Sequence, residues 1–132
     1  MIAMDKRTAR PFFPALLFLA LALSPPAFAQ DAEHGRQVYR VCLPCHVPDA
    51  YTNKLGPSLK GVFGRTAGSV AGFRYSQAMR DAGADGLFWD DKNLSEFLSS
   101  PKGKVPGTSM RFWGFWRQSE IDDVIAYLKT IP

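Results

Sequence analysis

Val41-Cys42-Leu43-Pro44-Cys45-His46 brings together two thiols and an imidazole, and Cys42 and Cys45 are the only cysteines in 132 residues. Two thiols three positions apart on one helical turn reach the two vinyl groups on neighbouring edges of a porphyrin and can form thioethers there. The imidazole of His46 then points at the iron, so the Cys-x-x-Cys-His spacing reads as the attachment site of one c-type haem with a proximal His. Two other chemistries use the same thiols. A thioredoxin-type dithiol asks for a βαβ pattern around it, which the sequence does not show. A strained disulfide across two residues gives no use to the adjacent histidine.

A second iron ligand has few sources. Residues 1–29 read as a leader that takes Met1 and Met4 with it, which leaves Met79 and Met110. Met110 closes Val105-Pro106-Gly107-Thr108-Ser109-Met110, and a Pro-Gly turn is a way to present a soft, polarizable thioether from a loop. Met79 sits on a helical pattern, where a core role is natural. His34 is the other histidine and reads as a half-exposed surface residue. A buried haem also brings two propionates that need donors, and Arg65, Arg74, Tyr75 and the indole N–H of Trp89 are suited to supply them.

The elements that position these groups follow from periodicity and punctuation. A first helix opens at Asp31, with Val38, Val41 and Cys42 at i, i+3 and i+4, and Gly35 within it marks a place where another helix crosses closely. From Pro48 to Ala71 helical periodicity disappears, and Gly56-Pro57 and glycines 61, 64, 68 and 72 mark tight turns. So long a loop would ordinarily argue against a compact domain. A flat apolar disc for it to fold over removes the difficulty. A short helix is expected from Ser76 to Ala82, stopping at Gly83, and another after a cap at Asp90 or Asp91, with Leu94, Phe97 and Leu98 inward and Pro101 beyond its end. The final helix is expected from Ser119, with Asp122 completing a capping-box variant and Ile121, Val124, Ile125 and Leu128 on its apolar face. Tyr127 flanks that face and is placed to meet Tyr39 over Gly35.

Lys6, Arg7 and Arg10 precede an apolar run from Phe12 to Leu23, broken by Ser24-Pro25-Pro26, and Ala27-Phe28-Ala29 supplies small residues at a cleavage site before Gln30. Residues 1–29 are therefore expected to be a cleaved secretory signal peptide, and 30–132 one domain exported to the periplasm with no stable membrane insertion. A retained anchor is the competing reading, but Phe12 to Phe28 is only 17 residues with three prolines, at the short limit for spanning a bilayer. Export fits the chemistry, because thiols meet haem under controlled redox conditions outside the cytosol. The formal charge of +4 falls to about +2 without the leader, as 13 Lys and Arg then face 11 Asp and Glu. That balance, with no basic stripe, gives no case for nucleic acid.

Beyond single motifs, the chain resembles the class I cytochromes c, within them the mitochondrial-type group that includes bacterial cytochrome c2. The shared residues are Gly35, Tyr39 and Cys42-x-x-Cys45-His46, then Gly56-Pro57-x-Leu59-x-Gly61-Val62-Phe63-Gly64-Arg65 and Gly72-Phe73-x-Tyr75. Trp89, Val105-Pro106-Gly107-Thr108-x-Met110 and Ile125-Ala126-Tyr127-Leu128 follow in family order. The resemblance implies an all-α fold of three to five helices with long loops around one covalently bound haem. It makes His46 and Met110 the axial ligands, with the Pro57 carbonyl accepting from the other imidazole nitrogen, and sets Arg65, Tyr75 and Trp89 against the propionates. Phe112 is expected to complete the core around the cofactor.

Two strong-field ligands leave no open coordination site, so a one-electron carrier is expected in place of bond-making chemistry. The expected carrier is a soluble monomer that meets membrane redox complexes transiently, as donor and acceptor. A haem peroxidase with a labile sixth ligand, and a relay subunit of a larger oxidoreductase, are the alternatives. The sequence also departs from the resembled group. Phe97 stands where a tyrosine is common and Met79 where an Asn is common, which makes the Met110 side drier. About three residues are added around Ala84-Asp85-Gly86, and Ser109 and Trp116 replace lysines of the usual docking ring. Trp113 and Trp116 are accordingly expected to form part of an apolar docking face, less dependent on charge steering.

Overall fold

The computed structural model describes residues 29–132, so the signal-peptide expectation for 1–29 lies outside the described residues except at Ala29. Five α-helices carry the fold: α1 (Ala32–Val38), α2 (Gln77–Ala84), α3 (Asp91–Ser99), α4 (Pro101–Lys104) and α5 (Gln118–Lys129). Among the described residues there are no strands, only an isolated bridge between Thr66 and Phe88. None of their helices is long and apolar enough to cross a membrane.

Asp31 caps α1 by accepting from the amides of Glu33 and His34. The helix then tightens into a 3₁₀ turn over Tyr39–Cys42. This corrects the expected inner face: a 3₁₀ turn advances three residues per turn against 3.6, so Tyr39 goes inward at 1% exposure while Val41 is turned out at 60%.

α5 lies across α1. A Cβ built on Gly35 falls 1.8 Å from the carbonyl oxygen of Asp123, so the two backbones meet where only a hydrogen fits. Tyr39 and Tyr127 pack beside this point with ring centroids 5.2 Å apart. Ile121, Val124, Ile125 and Leu128 all face inward, as their spacing requires. His34 is taken up by the same crossing: its Nδ1 lies 2.7 Å from the Asp123 carboxylate, which also accepts from the Asp31 amide at 2.8 Å.

Other element ends differ from expectation. α2 is capped by Ser76 but runs through Gly83 to Ala84. That glycine serves packing and does not stop the helix, since a Cβ there would lie 2.0 Å from the Ala67 carbonyl oxygen. α3 is capped by Asp90, and Pro101 is not merely beyond its end but opens α4. α5 starts at Gln118, one residue early, and its N-cap Arg117 makes no side-chain cap bond. The capping box does not form, because Ser119 already lies inside the first turn. Gln118 instead ties Asp122 to Ser95 of α3, with donor distances of 2.8 and 2.9 Å.

Candidate haem site

The attachment segment is a single helical turn. The amides of Cys45 and His46 both donate to the Cys42 carbonyl, at 3.1 and 2.9 Å. Cys42, Cys45 and His46 therefore share one face. The thiols are not joined to each other and both are half-buried. Burial pushes the Cys42 thiol up to about 11, with the neighbouring Cys45 adding to the shift. A dithiol reductase needs the opposite, a thiol held low so that thiolate is present near neutrality.

The loop after the turn is clipped back onto it. Gly56 donates to the Cys45 carbonyl at 2.8 Å and Leu59 to that of Val47 at 2.9 Å. This brings Pro57 over the imidazole, whose Nδ1 lies 2.7 Å from the Pro57 carbonyl oxygen. A carbonyl only accepts, so Nδ1 carries the proton and the Nε2 lone pair is left for a metal. Burial lowers the His46 pKa, against the opposing effect of the Pro57 bond, which keeps the ring neutral as a ligand must be. Gly56 leaves room for the ring: a Cβ there would fall 2.3 Å from its Cε1. Sequence reasoning expected the Pro57 carbonyl as acceptor only through the family resemblance, and read Gly56 as a turn residue alone. It also missed Ser58, which is buried and fixes this loop by donating to the Ala50 carbonyl at 2.6 Å while its amide donates to Asn53 Oδ1 at 2.9 Å.

Arg65 is held by the same loop. Its two terminal nitrogens donate to the carbonyls of Lys60 and Ser58, at 3.0 and 2.9 Å. Its Nε is buried with no partner, and burial lowers its pKa. A half-buried guanidinium with an unused buried donor is suited to a partly buried anion. The bridge segment joins it to Trp89, whose amide donates to the Arg65 carbonyl at 2.9 Å while Gly64 donates to the Trp89 carbonyl at 2.7 Å. Trp89 is buried with its ring centroid 5.0 Å from that of Phe97. Tyr75 is half-buried and its hydroxyl accepts from the Val70 amide at 3.2 Å, whereas Arg74 is exposed.

Met110 is half-buried and packs against the core, and Met79 is buried on α2. The Val105–Thr108 turn that presents Met110 closes through a 3.0 Å bond from the Thr108 amide to the Val105 carbonyl. The Met110 amide then donates to Thr108 Oγ1 at 3.3 Å. Phe112 is half-buried against Phe115, their centroids 5.0 Å apart. Trp113 and Trp116 are 91% and 97% exposed.

The residues present fit a covalently bound haem. Paired thiols share a face with a neutral imidazole whose Nε2 is free, a thioether is presented from a turn, and a half-buried guanidinium has a spare, buried donor. A small helical fold with such a donor set defines a haem protein. The chain belongs to the cytochrome c family, whose model matches residues 32–132. It is 50% identical over 97 residues to cytochrome c2 of Afifella marina, covering 73% of this chain and 78% of that protein. With cytochrome c2 of Blastochloris viridis the identity is 42% over 114 residues, 86% of this chain and 87% of the relative. Among solved structures, cytochrome cH from Methylobacterium extorquens superposes with a TM-score of 0.70 at 42% identity, over 76% of this chain and 98% of that one. Ferricytochrome c2 from Rhodopseudomonas palustris gives 0.71 at 34% identity, over 77% and 99%. The protein is an electron-carrying cytochrome with covalently attached haem c, and not an enzyme.

Proposed function

We propose that this cytochrome is a soluble periplasmic carrier of the cytochrome c2 type, that His46 and Met110 hold its iron, and that it passes single electrons between membrane redox complexes. The observation that carries the reading is the 2.7 Å contact between His46 Nδ1 and the Pro57 carbonyl, which assigns His46 as a ligand. It fixes both tautomer and ring orientation and raises the basicity of the ligating nitrogen. When bound, the haem supplies the one-electron Fe(III)/Fe(II) couple.

The chain's own residues do the rest. Cys42 and Cys45 hold the porphyrin through thioethers. Met110, on a turn and packed against the core, would be the second protein ligand to the iron and would keep water and substrate from it. Arg65, with Tyr75 and Trp89 beside it, meets the propionates. Phe112 covers the cofactor. Phe97, Met79 and Trp89 keep the interior dry, which restricts the reorganisation of solvent when the charge of the centre changes. The apolar leader ending at Ala29 supports export, and the likeness to the cytochromes c2 of Afifella marina and Blastochloris viridis supports the carrier class.

The test separates attachment from ligation. Acidified acetone should leave the colour on the polypeptide. The oxidised protein should show the weak red charge-transfer band of a sulfur to iron bond, lost in Met110→Ala and kept in Met79→Leu. The reverse pattern moves the ligand to Met79, and freely extracted haem ends the covalent reading.

A further inference from the structure

The two most exposed large hydrophobic side chains of the described residues, Trp113 and Trp116, stand three positions apart on either side of one turn. Gly114 between them has φ +105° and comes so close to α3 that a Cβ there would fall 2.0 Å from the Ser99 carbonyl oxygen. The next amide, that of Phe115, donates to the Leu98 carbonyl at 2.8 Å. The indoles are thus anchored to the end of a packed helix, and with Ser99 and Phe115 they line a shallow groove. An indole left in water serves no packing in the free protein, and a preformed groove between two such rings loses little entropy on being filled.

The stretch of sequence that carries this groove, between Glu96 and Glu120, is cationic. Residues 97–119 contain four cations and no acid, while the rest of the chain from residue 30 carries nine cations against eleven acids. Lys104 reaches back to Glu96, and Lys102, Arg111 and Arg117 remain exposed in the segment. Lys102 Nζ lies 5.7 Å from the centre of the Trp113 ring. The modest net charge therefore conceals a local excess of cations in the segment that carries the indoles.

We infer that the Trp113–Trp116 groove is the contact through which this carrier docks on its redox partner, a protein surface bearing a protruding apolar side chain within an acidic rim. Tryptophan and arginine together are the usual composition of an interface hot spot. The cationic rim steers the encounter, and the groove holds the complex once charge is screened. The segment begins immediately after Met110, so a partner seated there sits beside the proposed ligand. This inference rests on the carrier reading above.

The experiment follows oxidation of the reduced holoprotein by washed membrane fragments of the native host, at low and high salt. Trp113→Ser with Trp116→Ser changes no charge and no buried side chain. It should raise the half-saturating concentration about tenfold or more at both salts, with the midpoint potential and the rate of oxidation by ferricyanide unchanged. Trp116→Lys should show the same loss at high salt. Lys102→Gln with Arg117→Gln should slow the reaction at low salt only. If the double serine variant saturates as the wild type does, the indoles are not the contact. If they instead bind lipid, the wild type alone sediments with protein-free vesicles of equal parts phosphatidylcholine and phosphatidylglycerol, and detergent-dispersed membranes oxidise both proteins equally. That result overturns the protein-docking inference. A wild type that ferricyanide oxidises and native membranes do not overturns the carrier reading itself, and the docking inference with it.

Discussion

Replacing Gly35 by alanine adds one methyl group, and at most exposed helical positions that change stabilises by about 1 kcal/mol. Here it should do the opposite. The new Cβ would stand 1.8 Å from the Asp123 carbonyl oxygen, 2.3 Å from its carbon and 3.0 Å from the Val124 nitrogen. All three are backbone atoms in the middle of α5, so no side chain can swing aside. Restoring an ordinary contact of about 3.2 Å requires the helices to part by roughly 1.5 Å, and a radial gap of about 0.5–1 Å already forfeits a quarter to a half of the dispersion well for the atoms along it. The side chains that lose contact include Tyr39, Ile121, Val124 and Ile125, all at 2% exposure or less. Overpacking of this kind costs about 1–3 kcal/mol and sometimes more. Backbone against backbone at 1.8 Å takes the upper end of that range, so with the helix-propensity gain of about 1 kcal/mol subtracted Gly35→Ala should destabilise the holoprotein by about 2 kcal/mol. For a domain of this size that lowers Tm by roughly 8–16 °C. Guanidinium or thermal unfolding, followed by far-UV circular dichroism, reads the loss directly. Gly103→Ala is the control, because its Cβ meets only the Ser100 side chain and should be close to neutral. If Gly35→Ala is as stable as the wild type or more so, the close crossing is not what holds α1 against α5.

Two further perturbations bear on the site and on the same crossing. Phe97→Tyr introduces a hydroxyl beside Trp89, on the side expected to lack a donor to the ligand sulfur, and should move both the midpoint potential and the red sulfur band; if neither moves, Phe97 has no part in tuning the iron. Bonds from the Asp31 amide and His34 hold the Asp123 carboxyl below the usual range. A carboxylate with a depressed folded pKa contributes stability above its unfolded value of about 4 and loses it as pH falls through the folded one. Asp123→Asn should therefore cost about 0.5 kcal/mol at pH 7, and the difference from wild type should close at strongly acidic pH. A difference that persists there would assign the effect to packing.

The attachment turn was legible because covalent chemistry dictates its spacing: Cys42, Cys45 and His46 had to share a face, and the 2.9 Å bond from the His46 amide to Cys42 shows the turn that does it. The inner face of α5 was legible for a similar reason, since burial of four residues leaves no other phase. What escaped depended on backbone events without a periodic trace. The tightening at Tyr39–Cys42 turned Val41 outward, and no side-chain pattern marks the change from 3.6 to three residues per turn. Gly83 carried two meanings, stop and close approach, and only the position of the Ala67 carbonyl decides between them. The hold on Arg65 uses carbonyls of Ser58 and Lys60, groups that every residue possesses.

The crossing at Gly35 also dictates an order of assembly. It is stitched by a bond from the Asp31 amide to Asp123, a sequence separation of 92. Contacts this distant must overcome loop-closure entropy before they return anything. A chain emerging from its N-terminus cannot make them until almost all of it has been delivered. Cys42 and Cys45 are exposed to solvent and to any attaching machinery throughout that interval, and α5 closes over the first helix only at the end. Late synthesis of the closing helix thus keeps a time window open for the thioethers, and a circular permutant that placed α5 ahead of α1 would shorten it.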